Sequence, residues 1–508
     1  MEMAAKAAGS SRHVEVEQKF DVPPATVFPS FEGLTFVSRV ERLPSQSLDA
    51  VYFDTSDQDL ARRRVTLRRR TGGPDAGWHL KLPAGPDART EVHAPLESGD
   101  HAAAGEVPEE LVDIVLAIVR DRPLVPVARI STTRNVVMVY GTDGAALAEF
   151  CDDEVTASAL DPVDSSPGEE QRWHEWELEL VDGEVKGGKE VLRRLGNRLL
   201  DAGAAPAGHG SKLAKVLQAG LPAPARPEPS ADPVHRAVAE QVDQMMEWDR
   251  AVRADTWDSV HQMRVTTRKI RSLLQASEDA FGLTDDAWVL DELRQLAGVL
   301  GVARDAEVLA ERYQRALDEL APELVRGQVR ERLVDGANRR YQAGLRRSLA
   351  AMRSPRYFRL LDALEALVAA EPAPPAPGEE HAPVTIDSAY KRIRKAARTA
   401  AHAEEEHKDE ALHRIRKGAK RLRYVAAATG ESKVSERAKV IQTLLGDHQD
   451  SVVSRTHLSQ QAEAAHAAGE DTFTYGLLYQ QEDDLARRSR EQLDEALGAL
   501  KKAVAKAH

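Results

Sequence analysis

The sequence predicts a multidomain α+β protein: an N-terminal eight-stranded antiparallel β-tunnel with flanking helices, then an all-α domain of two duplicated helical bundles. Three observations lead to this prediction. Residues up to about 220 contain short strand-like runs separated by turns rich in Gly, Pro and Asp. The remaining residues are rich in Ala, Leu, Glu and Arg, with apolar positions every three or four residues, which is typical of helices. Two proline-rich stretches separate these parts.

The proline-rich stretches read as exposed, semi-rigid linkers, and they set the expected domain boundaries. They are residues 221–233 (LPAPARPEPSADP) and 371–383 (EPAPPAPGEEHAP). The expected parts are a flexible N-terminus (1–12), a tunnel domain (13–220), the linker 221–233, and a helical domain (234–508) with halves 234–370 and 384–508 around the linker 371–383.

The first part contains eight candidate strands and two candidate helices. The strands are 13–20, 48–54, 64–71, 78–82, 90–94, 127–140, 145–155 and 172–181, and the helices are 107–119 and 189–202. Many antiparallel strands with polar residues at alternate positions favour a closed barrel with a charged interior.

The first strand carries the pattern that first indicates a function. In residues 13–20 (HVEVEQKF), Glu15, Glu17 and Lys19 occupy alternate positions and therefore share one face of the strand, about 7 Å apart. Burying two carboxylates and an ammonium in an apolar core would be costly. The pattern makes sense if this face lines a wet cavity that holds metal ions and an anion.

Charges on the other strands are sorted by sign. Arg68 and Arg70 share a face of one strand, whereas Glu149 and Asp153 share a face of another. For any one strand, charges directed to solvent are the simpler explanation. Sorting over several strands instead favours a basic wall, which would bind phosphate oxygens, opposite an acidic wall, which would bind Mg²⁺ or Mn²⁺.

Bulk composition excludes several classes of protein. The formal net charge is −13, which argues against general binding to nucleic acid or to an anionic membrane. A single cysteine, Cys151, excludes an internal disulfide framework and fits a reducing compartment. We find neither a signal-peptide pattern nor an apolar stretch long enough to span a membrane, so we expect a cytoplasmic protein.

The helical part contains an internal repeat. Residues 261–274 (HQMRVTTRKIRSLL) match residues 413–426 (HRIRKGAKRLRYVA), and each block is followed by a second one, 300–305 (LGVARD) and 445–450 (LGDHQD), which we expect to form turns. The histidine and the basic residues at offsets +3, +7 and +10 fall on one helix face. A solvated basic face is the usual explanation of one such stripe, but its recurrence in both repeats favours a surface that binds a polyanion.

Seven motifs in the first part resemble the CYTH domain of the triphosphate tunnel metalloenzymes. They are E-x-E-x-K (Glu15, Glu17, Lys19), YFDT (52–55), LRRR (67–70), K-x-P (81–83), E-x-x-x-D (Glu149, Asp153), ELEL (177–180) and the Ser-Lys pair 211–212. The resemblance implies an eight-stranded tunnel, binding of a triphosphate group and dependence on a divalent metal.

The resemblance also implies roles for individual residues. The implied metal ligands are Glu15, Glu17, Glu149, Asp153, Glu177 and Glu179, and the implied phosphate-binding residues are Lys19, Arg68, Arg70, Lys81, Arg129, Arg134 and Lys212, with Glu15, Glu17 and Lys19 as catalytic residues. Arg129 and Arg134 lie five positions apart, so a regular strand directs them to opposite faces unless a bulge intervenes. The pattern also leaves open whether Asp152 or Asp153 faces the tunnel.

The helical part resembles a CHAD domain, a conserved-histidine helical domain, over about residues 231–508. The resemblance implies two pseudo-symmetric bundles around a basic channel that binds inorganic polyphosphate. The implied binding residues are His261, Arg264, Arg268, Lys269, Arg271, His413, Arg416, Lys420, Arg421 and Arg423. Few aromatic residues suited to base stacking occur here, which argues against nucleic acid as the partner.

The sequence therefore supports one leading hypothesis and its rivals. The leading hypothesis is a cytoplasmic enzyme, associated with polyphosphate granules, that hydrolyses inorganic triphosphate or short polyphosphate with Mg²⁺ or Mn²⁺. Its helical domain would bind polyphosphate. The rivals are a non-catalytic polyphosphate-binding protein, or an adenylyl cyclase or thiamine triphosphatase that uses the same tunnel. Oligomeric state cannot be read from the sequence.

Overall fold

A computed structural model gives the structure of most of the chain. It describes residues 11–23, 26–84, 88–96, 106–183, 185, 187–218, 233–276, 281, 287–370, 386–428 and 430–507. The expected linkers lie outside the described residues, except for the last residue of the first linker, and so do residues 1–10 of the expected flexible N-terminus. The chain forms two compact units, Met1–Ala297 with Leu349–Ala373, and Gly298–Ser348 with Pro374–His508.

Eight strands of the first unit close into an antiparallel barrel, as the sequence predicts. The ten strands of the sheet are β1 (Ser11–Asp21), β2 (Val37–Arg42), β3 (Gln46–Asp54), β4 (Thr66–Thr71), β5 (Gly77–Pro83), β6 (Ala88–Ala94), β7 (Val125–Gly141), β8 (Ala146–Ala159), β9 (Gln171–Leu180) and β10 (Ala205–Pro206). The barrel order is β1-β6-β5-β4-β3-β7-β8-β9, and β9 pairs back with β1 to close the ring. Strand β2 pairs with the far end of β7, and β10 pairs with the end of β1.

The barrel buries its apolar side chains on its outer face. On β1, Val16 and Phe20 alternate with the charged residues and pack against Leu195 and Leu199 of a covering helix. Of the first four helices, α1 (Asp59–Arg62), α2 (Glu109–Val119) and α3 (Gly188–Asp201) supply this cover, whereas α4 (Lys212–Gln218) does not. Helices α1 and α2 pack on the outer face of β4, β5 and β6 around Leu67. These two apolar clusters lie outside the ring, which leaves much of its interior to charged residues.

Helix α4 differs from the other three because it packs against the inner face of the barrel. Its residues Leu213 and Val216 cluster with Tyr52, Ile130 and Val155 of β3, β7 and β8. These three strand residues alternate with outward-facing neighbours, so the cluster fills one part of the interior with apolar atoms. The first turn of α4 thereby brings Lys212 into the charged part of the barrel.

The sequence missed two of the ten strands. All eight candidate strands and both candidate helices exist, with bounds that differ by a few residues at some ends. Strand β2 was missed because its side chains are half-buried or exposed and show no clean alternation. Strand β10 was missed because it spans only two residues, Ala205 and Pro206.

The described residues from Pro233 onward are mostly helical, as predicted. The helices are α5 (Pro233–Arg253), α6 (Ser259–Ala276), α7 (Trp288–Asp318), α8 (Gly336–Met352), α9 (Pro355–Ala369), α10 (Ile386–Ala401), α11 (Glu405–Ala428), α12 (Ser432–Ala467) and α13 (Phe473–Val504), with a 3₁₀ turn at Pro322–Leu324 and a π-helical turn at Glu331–Asp335. Among the described residues, we find no helix long and apolar enough to cross a membrane.

The repeat appears as two helix pairs in the same order. Helix α6, which contains His261, is followed by the long α7, and helix α11, which contains His413, is followed by the long α12. The expectation that residues 300–305 and 445–450 form turns is wrong, because both segments lie inside α7 and α12. Their Leu-Gly pairs therefore lie within regular helix and do not reverse the chain direction. An added Cβ at Gly446 would lie 3.3 Å from Nη2 of Arg416, so glycine leaves room for that guanidinium.

Ion pairs fix the barrel to α5 and α9 inside the first unit. Arg120, at the end of α2, is buried and pairs with Asp362 and Glu365 of α9. Asp113 of α2 accepts hydrogen bonds from Arg253 of α5 (3.1 Å) and from Arg353 (2.8 Å). The first compact unit therefore joins the barrel to part of the helical region.

We predict that Leu195→Ala will lower the free energy of unfolding by about 2–5 kcal/mol, because Leu195 is fully buried between α3 and the outer face of the barrel. Chemical denaturation followed by circular dichroism measures the change. Lys189→Ala, at an exposed position in the first turn of the same helix, is the control. Equal effects of the two substitutions would contradict the account of an outward-facing core.

Candidate functional site

A cavity of ≈ 1010 Å³ occupies the barrel and is lined by most of the residues expected there. The expected residues that line it are Glu15, Glu17, Lys19, Arg68, Arg70, Lys81, Arg134, Glu149, Glu177, Glu179 and Lys212. They come from β1, β4, β5, β7, β8, β9 and the start of α4. The alternation of each strand directs these side chains inward and the neighbouring apolar ones outward.

The acidic wall is a row of carboxylates on three adjacent strands. Glu179 of β9 pairs in register with Glu17 of β1 on one side and with Glu149 of β8 on the other. Side chains directly opposite one another on neighbouring strands lie close together, and like charges in such positions repel. Glu17 pairs with Lys19, but neither Glu149 nor Glu179 has a basic side chain within ion-pair distance among the described residues, so the row has more carboxyl groups than basic partners.

The pKa of Glu179 reports this repulsion. Burial, with the neighbouring carboxylates Glu15, Glu17 and Glu177, raises the pKa of Glu179 to about 8. Burial also raises the pKa of Glu15, with a further contribution from Glu91. A divalent cation would relieve this repulsion, so the row fits a metal site on the chemistry of its own donors.

A second acidic group in the barrel already has basic partners. The ammonium of Lys212 contacts Asp153 (2.9 Å), Glu175 (2.7 Å) and Glu177 (2.8 Å). Arg134 donates two hydrogen bonds to Asp153 (2.8 and 2.6 Å) and one to Glu177 (2.6 Å). These carboxylates therefore hold Lys212 and Arg134 in place, and a metal ion among them would have to displace a cation.

The basic wall lies on β4 and β5, across the barrel from β8 and β9. Arg68 contacts the hydroxyl of Tyr52 (3.4 Å), and Arg70 contacts the half-exposed Asp75. Burial, with Arg68 and Arg134 nearby, lowers the pKa of Arg70 to about 9. This wall therefore carries excess positive charge, which a bound anion would compensate.

Two lysines join the walls. Lys19 donates a hydrogen bond to Glu17 (2.7 Å) and contacts Glu177, and Lys81 donates to Glu15 (2.6 Å). Burial alone would lower the pKa of Lys19, but Glu17 and Glu177 raise it above the usual value, so its ammonium stays charged. Either lysine can exchange a carboxylate for a phosphate oxygen.

Two of the expected residues lie elsewhere. Arg129 lies on the outer face, mostly exposed, and makes a bidentate pair with Asp49 (3.0 and 2.8 Å). β7 is regular between Arg129 and Arg134, without a bulge, so the two side chains point to opposite faces. Asp153 is fully buried behind Arg134 and is absent from the cavity lining. Asp152 faces outward and accepts a hydrogen bond from the indole of Trp176 (2.8 Å).

Several residues of the cavity were absent from the expected set. Glu91 of β6 is buried, and the hydrogen bond with Nδ1 of His79 (2.9 Å) and the nearby Lys81 hold its pKa far below the usual range. Nε2 of His13 lies 3.5 Å from Glu15 and 3.4 Å from Glu91. Arg89 and Glu91 lie two positions apart and therefore share one face of their strand, and this pattern could have indicated that Glu91 faces the cavity. Nothing in the spacing indicated that His13 reaches Glu91 on a neighbouring strand.

Two groups of side chains have ligand atoms close enough to bind one metal ion. Their members are His13, Glu15 and Glu91 in one group, and Asp153, Glu175 and Glu177 in the other, with the ligand atoms of each within 4.8 Å of one another. Acidic clusters therefore exist in the barrel alongside the row of Glu17, Glu149 and Glu179, and the second of the two groups already binds Lys212 and Arg134.

The helical regions carry the two expected basic stripes, which belong to different compact units. On α6, Arg268 and Lys269 are exposed, while Nε of Arg264 and Nε of Arg271 are buried and make no hydrogen bond to a described residue. His261 lies half-buried one turn before Arg264. Buried guanidinium donors without an acceptor are rare, and these two are available to an anionic ligand.

The second stripe lies on α11. Burial, with Lys417 and Arg416 nearby, lowers the pKa of His413, which reflects the density of positive charge along this helix. Arg423 donates a weak hydrogen bond to Gln442 of α12 (3.3 Å). Of the other expected members, Lys420 is half-buried and Arg421 is exposed.

Comparison with known proteins identifies the family. A CYTH domain matches residues 13–201, and a CHAD domain matches residues 236–459. An uncharacterized protein of Mycobacterium tuberculosis (strain CDC 1551 / Oshkosh) is 67% identical over 517 residues, which cover 99% of this chain and 100% of that protein. The chain belongs to the proteins with a CYTH domain followed by a CHAD domain. CYTH domains are often triphosphatases or cyclases that depend on a metal, and both domains bind triphosphate-type or polyphosphate ligands.

Solved structures also match each part of the chain. The CHAD domain from the plant Ricinus communis is 22% identical, with 53% of this chain and 90% of that chain covered and a TM-score of 0.40. HpAC1 from Hippeastrum, an adenylyl cyclase candidate with a dominant triphosphatase activity, is 17% identical, with 41% and 97% covered and a TM-score of 0.26.

We predict that Glu179→Gln will stabilise the metal-free protein more as the pH rises. The folded pKa of Glu179 is about 8, above the ordinary value of 4.5, so the folded state resists its ionisation. The wild-type protein therefore loses stability between pH 4.5 and 8, and the full penalty, on the order of 1 kcal/mol or more, persists above pH 8. The variant has no carboxyl group to ionise at this position and therefore keeps its stability. Thermal unfolding of both proteins at several pH values, in the presence of a chelator, measures the difference in stability. Glu154→Gln, at an exposed position of β8, is the control; a benefit of Glu179→Gln that does not change with pH would contradict the assignment.

Proposed function

We propose that the CYTH domain hydrolyses inorganic triphosphate or short-chain polyphosphate in a reaction that requires Mg²⁺ or Mn²⁺, and that the CHAD domain binds polyphosphate. The observation that carries the proposal is the opposed excess of charge inside one barrel. Burial together with the carboxylates Glu15, Glu17 and Glu177 raises the pKa of Glu179 to about 8. Burial together with the guanidinium groups of Arg68 and Arg134 lowers the pKa of Arg70 to about 9. A metal-complexed chain of phosphates would compensate both walls at once.

The basic wall would bind and orient the phosphate chain. Arg68 and Arg70 point into the cavity from the same face of β4, and Lys81 reaches it from β5. A guanidinium can donate two parallel hydrogen bonds to one phosphate group, so Arg68 and Arg70 can fix its orientation as well as its charge. Lys19 and Lys212, held at the acidic wall, would neutralise charge that develops on the reacting phosphate.

The acidic wall would hold the metal and manage the proton of the attacking water. Glu17, Glu149 and Glu179 are the best candidates for metal ligands because two of them have no basic partner among the described residues. The bound cation would polarise phosphate oxygens and lower the pKa of water. Among the carboxylates outside that row, Glu15, whose pKa burial raises, is suited to accept the proton of that water, since a more basic carboxylate is a better general base.

The CHAD domain would bind polyphosphate through the stripes on α6 and α11. The unsatisfied guanidinium donors of Arg264 and Arg271 support this proposal for α6. A linear polyphosphate presents charge without bases to be read, which fits stripes of Arg and Lys better than nucleic acid does. A cytoplasmic location at polyphosphate granules follows from the same proposal.

We predict that Arg68→Gln will lower kcat/KM for tripolyphosphate by about a hundredfold, because a charge-assisted contact worth about 2–3 kcal/mol is lost. Phosphate release with Mg²⁺ or Mn²⁺ is the assay. Arg69→Gln is the matched control: it removes the same charge at the next residue of β4, which alternation directs outward, and should leave the rate unchanged.

The same assay separates the proposal from its rivals. Release from tripolyphosphate that requires a divalent cation and is lost in Glu17→Gln supports hydrolysis in the barrel. Absence of release from tripolyphosphate, longer polyphosphate, ATP and thiamine triphosphate would favour a binding protein. Pyrophosphate and cyclic AMP formed from ATP would favour a cyclase, and preferential release from thiamine triphosphate would favour a thiamine triphosphatase.

We predict that Arg416→Gln with Lys420→Gln will weaken binding of long-chain polyphosphate to the full chain by about tenfold at moderate salt, with a shallower dependence on salt concentration. Competition between labelled and unlabelled polyphosphate measures the affinity. Arg414→Gln with Arg437→Gln removes two exposed charges from α11 and α12 outside the stripe. Equal weakening by both pairs would contradict a specific stripe and indicate a general effect of net charge.

A further inference from the structure

One edge of β1 has different partners along its length. This edge pairs with β6 as far as the pair Val16–Ala88 and with β10 from Phe20 onward. The amide of Ala207 donates to the carbonyl of Lys19 (2.9 Å). Glu17 and Lys19 therefore lie at the change of partner.

A second cavity, of ≈ 360 Å³, lies along this part of β1. Glu17, Lys19 and Arg89 line both this cavity and the large cavity of the barrel, so the two cavities adjoin at these three residues. The other walls come from the segment before β4, the end of β5, the start of β6, helix α3, β10 and the segment that leads from β10 into α4. We call this second cavity the side cavity.

Most of the charged side chains that line the side cavity are cations. Arg64, Arg89 and Arg193 line it together with Lys19, and Glu17 is the carboxylate in its lining. Arg193 pairs with Glu190 of its own helix (2.6 Å), whereas Arg64 and Arg89 have no carboxylate within ion-pair distance among the described residues. The charge of the lining therefore favours an anionic ligand.

A buried histidine points to the same chemistry. The side chain of His209 is 5% exposed and lines the side cavity, and neither ring nitrogen makes a hydrogen bond within the described structure. Its Nε2 lies 3.4 Å from Asp21, which is already bound by Lys215 (2.8 Å) and by the amide of Gly208 (3.2 Å). A buried imidazole without a hydrogen bond is costly, and a ligand oxygen would satisfy it.

We propose that the side cavity is an anion subsite that takes the phosphate groups of a linear polyphosphate beyond those held in the barrel. This inference rests on the proposed function and deepens it: the substrate class is a chain longer than triphosphate. A chain that leaves the barrel past Lys19 would enter a cavity lined by Arg64, Arg89 and His209. Orthophosphate released by the reaction has the same chemistry and is the second possible source of the ligand.

The test compares tripolyphosphate with tetrapolyphosphate as substrates of the full chain. The variant is Arg64→Asn with Arg193→Gln; asparagine tolerates the positive φ of Arg64 (59°), and neither residue lines the barrel cavity. We expect kcat/KM for tetrapolyphosphate to fall by about tenfold and that for tripolyphosphate to change by less than about twofold. Arg194→Gln, on α3 outside the side cavity, should leave both values unchanged.

The possible outcomes either support or overturn the subsite. Equal changes for the two substrates, or no change for either, would overturn it, and a change confined to inhibition by orthophosphate would replace the chain with the released product. If the wild-type protein hydrolyses neither substrate, the proposed hydrolysis is wrong. Calorimetric dissociation constants for tripolyphosphate and tetrapolyphosphate, compared as a ratio, then test the subsite alone. His209→Asn, which should shift this ratio in the same direction, guards against misfolding of the double variant.

Discussion

Electrostatic opposition across the interior of a closed barrel is the constraint on which this structure depends. Charged side chains inside a ring of strands are costly unless each finds a partner. Part of the acidic wall is paired with Arg134, Lys212 and Lys19. The pKa of Glu179 on that wall is nevertheless raised to about 8, and the pKa of Arg70 on the opposite wall is lowered to about 9. The fold withstands this because two of its apolar clusters lie on the outer face, under α1, α2 and α3, while a third packs α4 against the apolar part of the interior.

The sequence could predict the barrel because strand alternation is a local property. The spacing of Glu15, Glu17 and Lys19 was enough to assign a charged face, and the five-residue spacing of Arg129 and Arg134 already implied opposite faces. Contacts across strands could not be predicted, since they depend on register. The hydrogen bond between Glu91 and His79, the position of His13 beside Glu91, and the choice of Asp153 over Asp152 all follow from pairings that no single strand contains.

The helical part shows a different limit. The repeat and its basic stripes were visible as a period in the sequence, but the Leu-Gly segments were misread as turns because glycine usually marks a break in a helix. Within α12, Gly446 instead leaves space for Arg416 of a neighbouring helix, which is a tertiary requirement. The compact units also divide the chain inside α7 and α8, whereas composition suggested only the proline-rich stretches as boundaries. Those sequence boundaries stay predictions.

A crystal structure of the full chain with Mn²⁺ and tripolyphosphate tests the central claim most directly, because the anomalous signal of manganese locates the metal independently of the protein. The account predicts manganese at the row of Glu17, Glu149 and Glu179, with the phosphate chain between that metal and the guanidinium groups of Arg68 and Arg70. Metal and anion bound together outside the barrel, with Lys81 and Arg70 still paired only to protein carboxylates, would contradict it.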